Sequence, residues 1–211
     1  MPPTSVMVLL TGANEGSTPL EVAASSNDPD IDLTIVDFFI AGDRTRGVDV
    51  ISLHAKSKYD WRAYSRLLDL LRTHKPDVLH VHPNAIGAIT RLLGVLTNVP
   101  CLVTTEHSTH TEFGLVRNFV NGGTNWLNDI IVANSSATAN SFRTWEKSLQ
   151  SASGTEITVI HYGVNIEEIQ GAPYPCDTQL PSGFKICWTG RLTEAKNLSS
   201  LLRAVSILRD D

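Results

Sequence analysis

Two short apolar runs flanking one helical stretch constrain this chain more than any other feature. Asp77-Val78-Leu79-His80-Val81-His82 reads as a strand that follows the stop Lys75-Pro76. Ala85 to Thr97 reads as a largely apolar helix, and Cys101 to Thr105 as a second strand entered through Pro100. Strand, helix and strand within about thirty residues form a right-handed crossover of a parallel sheet. The unit recurs downstream as the strand Asp129 to Ala133, the helix Ser136 to Lys147 and the strand Glu156 to His161. Upstream, Val6 to Leu10, Leu33 to Phe39 and Val48 to Leu53 read as strands. Trp61, Tyr64, Leu67, Leu68 and Leu71 fall at helical spacing between Asp60 and His74. Residues 1–170 are therefore expected to form one α/β domain, a doubly wound parallel sheet of Rossmann-like kind.

Proline, glycine and polar residues cluster over 171–183, which reads as a linker. Beyond it, Phe184 to Trp188 reads as a strand. Leu198, Leu201, Leu202, Val205 and Leu208 then lie on one face of a helix. One strand and one helix bury too little surface to stand alone, so 184–211 is expected to be an incomplete second domain. Its apolar stripe is expected to meet another copy of the chain or a partner chain.

Composition narrows the partners. In 211 residues, 17 Lys and Arg face 22 Asp and Glu, a net charge of −5, and no run of basic residues exceeds two. Such a surface does not neutralise phosphates along a strand, so nucleic acid is excluded as a partner. Cys101, Cys176 and Cys187 make neither a disulfide framework nor a Cys-x-x-Cys site, which favours a reducing, cytoplasmic setting. No apolar segment approaches a membrane span of roughly 18 residues, and the N-terminus lacks a signal-peptide pattern. Peripheral contact with the inner membrane face stays open.

The stretch Thr189-Gly190-Arg191-Leu192-Thr193-Glu194-Ala195-Lys196-Asn197 lies between the tail strand and its helix. Glycine permits a close turn, and two cations near a helix N-terminus favour an anion such as a diphosphate. A solvated turn is the plainer reading. His80, His82, His107 and His110 sit at or just after strands and raise a zinc site, which needs three or four converging ligands. Polar residues at the C-terminal ends of strands are the simpler account, so no metal is assigned. Asn134-Ser135-Ser136 and Asn197-Leu198-Ser199 fit the glycosylation pattern but read better as helix caps.

Five segments together resemble one family. Gly190-Arg191-Leu192 followed by Lys196-Asn197 is similar to the start of the nucleotide-sugar domain in family-4-type glycosyltransferases of the GT-B fold. Lys75 to His82 is similar to that family's Lys-Pro-Asp-Val-x-His-x-His strand, and Pro100 to His107 to its Pro-x-Val-x-Thr-x-His. Ile130 to Ser135 is similar to an apolar strand ending in Ser, and Ile157 to Asn165 to Val-Ile-x-Asn-Gly-Val-Asp. Tyr162 stands where the family has Asn, and Gly16 to Ala23 only loosely matches its glycine-rich acceptor loop.

The resemblance implies transfer of a sugar from a nucleoside-diphosphate sugar to a sugar or lipid-linked acceptor, with retention and without metal or other cofactor. It implies that His107 faces the donor sugar and that Gly190, Arg191 and Lys196 hold the donor phosphates. Gly12, Gly16, His82, Ser135 and Gly163 would line the acceptor side of the cleft. It further implies that the Glu-x7-Glu part of the donor domain lies beyond this chain, so that 211 residues alone would be inactive. A non-catalytic acceptor- or partner-binding module that pairs with a separate donor domain is the alternative, and a GT-B nucleotide-sugar epimerase a weaker one. A dinucleotide dehydrogenase is disfavoured because Gly12 and Gly16 do not complete Gly-x-Gly-x-x-Gly.

Overall fold

The computed structural model describes residues 2–13, 17–26, 28–40, 48–82, 84–110, 114–163, 166–171, 185–190, 192 and 194–210. Seven parallel strands dominate it: β1 (Thr4–Leu10), β2 (Ile31–Asp37), β3 (Val50–Ser52), β4 (Val78–Val81), β5 (Cys101–Glu106), β6 (Ile130–Ala133) and β7 (Glu156–Val159). Their spatial order is β3-β2-β1-β4-β5-β6-β7, and every pairing is parallel. The order reverses between β1 and β4, the doubly wound arrangement expected from the repeated strand and helix pattern.

Strands β4 and β6 begin one residue later than the apolar pattern suggests. The reason is local: Ser5 N–H donates to the Asp77 carboxylate at 2.9 Å and Leu102 N–H to that of Asp129 at 2.7 Å. Each aspartate satisfies a backbone donor of the neighbouring strand from just outside the ladder.

One face of the sheet is closed by helices α2 (Trp61–His74) and α3 (Asn84–Leu96). Ala63, Tyr64, Leu67 and Leu71 of α2 and Ile86 of α3 bury against Met7, Leu9, Val36, Leu79, Val81 and Leu102. Asp60 caps α2 by accepting from Arg62 N–H at 3.1 Å, and Lys75 in the left-handed region ends it before Pro76. Trp61, expected to help the helix pack, is 70% exposed and lies beside Arg62 instead. The opposite face carries a smaller core of Val8, Leu10, Ala13 and Ile35. There α1 (Thr18–Ser25) occupies a segment that the sequence showed only as the end of a glycine-rich loop.

Two further helices depart from the expected pattern. The helix expected over Ser136 to Lys147 is broken into α5 (Ser136–Asn140) and α6 (Thr144–Ser153). Ser141 causes the break: its hydroxyl donates to Thr138 O at 2.7 Å and accepts from His110 N–H at 3.0 Å. Glu146 then starts a new helix by accepting from Arg143 N–H at 2.7 Å. The other departure, α4 (Leu115–Asn125), was not legible as a helix because its buried residues are polar. Asn118, Asn121 and Asn125 face inward, while Val116 and Phe119 are 80% and 72% exposed.

Where α4 meets α6, Gly122 leaves room for the buried Glu146 side chain. A methyl group there would overlap the Glu146 carboxylate and lie 2.7 Å from the Trp145 ring. That carboxylate is held by Arg143 N–H and by His110, so it has no free direction in which to move. Gly122→Ala is expected to lower stability by about 1–3 kcal/mol, as overpacking does. A thermal melt matching that of the parent would show the contact to be looser than described.

The chain divides into two compact units, Met1–Val164 and Asn165–Asp211. The second contains α7 (Ile166–Gly171), a 3-10 turn at Glu194–Lys196 and α8 (Leu198–Asp210). Of the strand expected over Phe184 to Trp188, Phe184 lies outside the described residues and residues 185–188 pair with nothing in a ladder. A strand exists only beside another, and this unit offers none among its described residues. The apolar stripe of α8 is present, with Leu202 and Leu208 largely in water.

Candidate functional site

The C-terminal ends of β1, β4, β5 and β6 are neighbours in the sheet, and the residues that follow them are Gly12, His82, His107 and Ser135. Loop amides and strand-end side chains converge at such a rim because every strand points the same way. A cavity of about 270 Å³ opens there, lined by Gly12, Ser17, Pro19, His82, His107 and Tyr162 among others. Gly12 has φ of +141°, a conformation in which a side chain is strained, although nothing lies within 4 Å of where its Cβ would be. Backbone shape, not space, requires glycine there.

Two histidines and a tyrosine form the wall, with His80 next to His82. His80 and His82, two residues apart on one face of the β4 end, have ring centres 4.3 Å apart. His82 Nδ1 lies 3.1 Å from His107 Nε2, so one of these nitrogens carries the shared proton and the other accepts it. The two rings stack at 5.2 Å, and Tyr162 continues the stack 5.7 Å from His107. Behind them, His80 Nε2 and the Thr105 hydroxyl share a hydrogen bond of 2.8 Å.

Burial keeps these imidazoles neutral. It pushes His80 down to about 4, with help from the neighbouring His107. His82 is pushed to about 2 by burial and by the charge it would share with His80 and His107. His107 is also lowered by burial, against the opposing pull of the Glu106 carboxylate. Neutral rings serve as hydrogen-bond donors and acceptors towards uncharged polar groups. They are poor proton donors near neutral pH.

His107 is held from behind as well. Its carbonyl accepts from Asn134 Nδ2 at 3.0 Å, and Asn134 Oδ1 accepts from the Thr138 hydroxyl at 2.7 Å. Ser135 is the N-cap of α5, its hydroxyl accepting from Thr138 N–H at 3.1 Å. It lies at the rim but lines neither cavity there. Gly163 lines the second of these, of about 340 Å³, together with His82 and Tyr162. Gly16 and Arg191 lie outside the described residues. Gly190 has φ of +150°, and a Cβ there would come within 3.3 Å of the Trp188 ring and 3.6 Å of Lys196 Cδ.

His110 does not join the other histidines. It is buried with Nδ1 3.1 Å from the Glu146 carboxylate, and its Nε2 lies 3.9 Å from Glu106. Among the described residues no three His, Cys, Asp or Glu side chains are placed to hold a metal ion. Thr105, Asn134 and Tyr162 are site residues that the sequence reading did not assign. The first two could have been found from their place at the ends of β5 and β6.

No curated protein matches the chain. Known structures share its fold. One is the UDP-GlcNAc 2-epimerase of Neisseria meningitidis bound to UDP-GlcNAc, 16% identical over 74% of this chain and 46% of that one, with a TM-score of 0.53. Another UDP-N-acetylglucosamine 2-epimerase is 17% identical over 66% of this chain and 44% of that one, at a TM-score of 0.50. The lipopolysaccharide outer core galactosyltransferase WaaB is 12% identical over 77% of this chain and 46% of its own, at 0.53. The chain thus spans less than half the length of each of these proteins. No helix among the described residues is long and apolar enough to cross a membrane. The family model for Glycosyltransferase Family 4 matches residues 15–168, which hold six of the seven strands, and the chain belongs to that family.

Proposed function

We propose that this chain is the acceptor-side part of a glycosyltransferase that moves a sugar from a nucleoside-diphosphate sugar to an acceptor with retention at the anomeric carbon. The observation that carries the reading is the stacked, neutral His82–His107 pair beside Gly12 and Tyr162 at the sheet rim. Such a wall hydrogen-bonds hydroxyl groups without becoming charged. In this reading His107 contacts the transferring sugar. Charge grows on the leaving diphosphate in the transition state, and fixed cations there stabilise it most. Gly190, Arg191 and Lys196 are assigned to that task.

The remaining donor contacts are assigned to a domain of the kind that makes up the rest of the longer proteins sharing this fold. The exposed stripe of α8 is the face that such a domain or a partner chain would cover. The absence of a disulfide framework supports a cytoplasmic setting, with a lipid-linked acceptor met at the inner membrane face.

Three outcomes are expected. The 211-residue chain binds acceptor glycosides, read as NMR shifts of the His107 ring, but turns over no UDP-sugar. Transfer appears when it is fused to a donor domain. In that fusion His107→Ala lowers transfer about ten- to a hundredfold, the effect of removing one hydrogen bond felt in the transition state. Robust turnover by the isolated chain, or full transfer by the fused variant, would overturn the reading.

A further inference from the structure

The hydrogen bond at the rim joins unlike nitrogens of two rings. His82 enters it through Nδ1 and His107 through Nε2, which leaves His82 Nε2 and His107 Nδ1 over. Neither of these has a partner among the described residues, neither is shut off from water, and both rings line the cavity of about 270 Å³. A neutral imidazole carries one hydrogen on its two nitrogens, and the bare nitrogen accepts. Burial keeps both rings neutral, so the pair has two hydrogens for four nitrogens. One of the two lies between the rings, because bare nitrogens 3.1 Å apart would repel and two N–H groups would clash. The other therefore faces outward, and the pair offers the cavity one donor and one acceptor, never two of a kind.

Two arrangements meet this condition. If His82 supplies the shared hydrogen, both rings are in the Nδ1–H form and His107 is the outward donor. If His107 supplies it, both are in the Nε2–H form and His82 is the outward donor. A free neutral imidazole side chain prefers the Nε2–H form, and only the second arrangement gives that form to both rings. The hydrogen bond made by one ring nitrogen then dictates what the other can do. The surroundings keep His107 from turning over. Its ring lies in the stack of His82 and Tyr162, with planes 26° and 20° from theirs, and Asn134 holds its carbonyl. A half-turn about the Cβ–Cγ bond would set a ring carbon against His82 Nδ1 and lose the bond.

We propose that His82 is a positioning residue that holds His107 in its Nε2–H form, so that the cavity meets its ligand with an acceptor at His107 Nδ1 and a donor at His82 Nε2. The ring forms belong to the protein alone, and what they select rests on the reading of this rim as a sugar site. A ligand group at His107 must bring a hydrogen of its own, as a hydroxyl does. A phosphate or carboxylate oxygen there would set lone pair against lone pair, which selects against it. At His82 an ether or carbonyl oxygen serves as well as a hydroxyl.

The test is nitrogen NMR of the labelled histidine rings in the full chain at neutral pH. In both His82 and His107, Nε2 is expected at the hydrogen-bearing position of the spectrum and Nδ1 at the bare one. A coupling across the hydrogen bond should link His107 Nε2–H to His82 Nδ1. His82→Gln offers a side-chain oxygen that accepts from His107 Nε2–H, so His107 should keep the same form. His82→Phe keeps a ring but no acceptor, and the two His107 nitrogen signals should move towards each other as its two forms mix. A structural role alone would not separate these variants by the form of His107. The proposal is overturned by a parent protein whose His107 carries its hydrogen on Nδ1, or by a His82→Phe protein whose His107 stays in the pure Nε2–H form. Mixing of the two forms in His82→Gln would overturn it as well. Should His82→Phe fail to fold, the parent spectrum and His82→Gln decide between them. No ligand enters these readouts, so a chain that binds no sugar and turns over nothing leaves the proposal standing. Its failure equally leaves the transfer reading to the fusion experiment.

Discussion

Arg91→Leu is expected to destabilise the first unit by about 3–5 kcal/mol, the usual loss when one partner of a buried charged network is removed. Arg91 is fully buried in α3 and reaches across to α4. Its guanidinium donates to Asn121 Oδ1 at 2.7 Å, to the Thr124 hydroxyl at 2.7 Å and to the Thr104 hydroxyl at 3.4 Å. The same asparagine donates to the buried Glu106 carboxylate at 2.8 Å. Burial lowers Arg91 to about 10, with the Glu106 charge opposing the fall, so the guanidinium stays charged at neutral pH. Leucine fills much of the volume but takes away the donors to Asn121 and Thr124 and the cation that faces the buried Glu106 carboxylate. A melting point lower by about 6–20 °C is the expected reading for a chain of this size. Adding Glu106→Gln to Arg91→Leu should recover part of the loss, since it removes the buried carboxylate that Arg91 faces. An Arg91→Leu protein that melts with the parent would show that the network is not held by charge.

This network also marks where the sequence stops being legible. The parallel strands could be read because apolar residues near the sheet centre recur in short runs with turn residues between them. α2 could be read because its stripe, Tyr64, Leu67 and Leu71, faces the core. α4 inverts that rule. Its inward face is Asn118, Asn121 and Asn125, which are buried because Arg91, Glu106 and the His110 carbonyl need partners, and its outward face holds Val116 and Phe119. A rule that equates apolar with inside has no means of finding such a helix. The signal that remains is polar: asparagines at helical spacing after a strand that ends in Glu.

The site shows the same division. Gly12, His82, His107 and Ser135 were assigned through the family resemblance, and the sheet order sets them after four neighbouring strands, because parallel strands end on one rim. The cap at Ser135 was legible too, but the partners of the other side chains were not. His110 leaves the histidines for Glu146, and Thr105 joins through His80. These depend on which side chain reaches across 25 to 36 residues of chain, a distance that no local pattern encodes.

The second large effect is expected with acid. In the unfolded chain each imidazole takes up a proton near pH 6.5, whereas in the fold His80 does so only near about 4 and His82 near about 2, with His107 also below its ordinary value. Below pH 6.5 the unfolded chain therefore binds more protons than the native one, and stability falls as pH falls. Each such histidine contributes up to about 1.4 kcal/mol per pH unit, so His80 and His82 together approach about 2.7 kcal/mol per unit near pH 5, and His107 adds in the same direction. Over the two units from pH 6 to 4 that sums to about 5 kcal/mol at most, the low end of an ordinary domain's roughly 5–15 kcal/mol, and unfolding is expected towards the acid end of that window. Urea melts at intervals from pH 7.5 to 5 isolate the effect, since exposed carboxylates titrate mainly below that window. His82→Gln keeps an amide within reach of His107 and removes one titrating ring, so its slope should be shallower by about 1.4 kcal/mol per unit. A parent protein with flat stability across the window, or a His82→Gln protein with the parent's slope, would mean that the wall takes up protons without unfolding. His82 and His107 would then be solvated cations rather than a neutral hydrogen-bonding surface, and the site would attract the donor's phosphates instead of sugar hydroxyls.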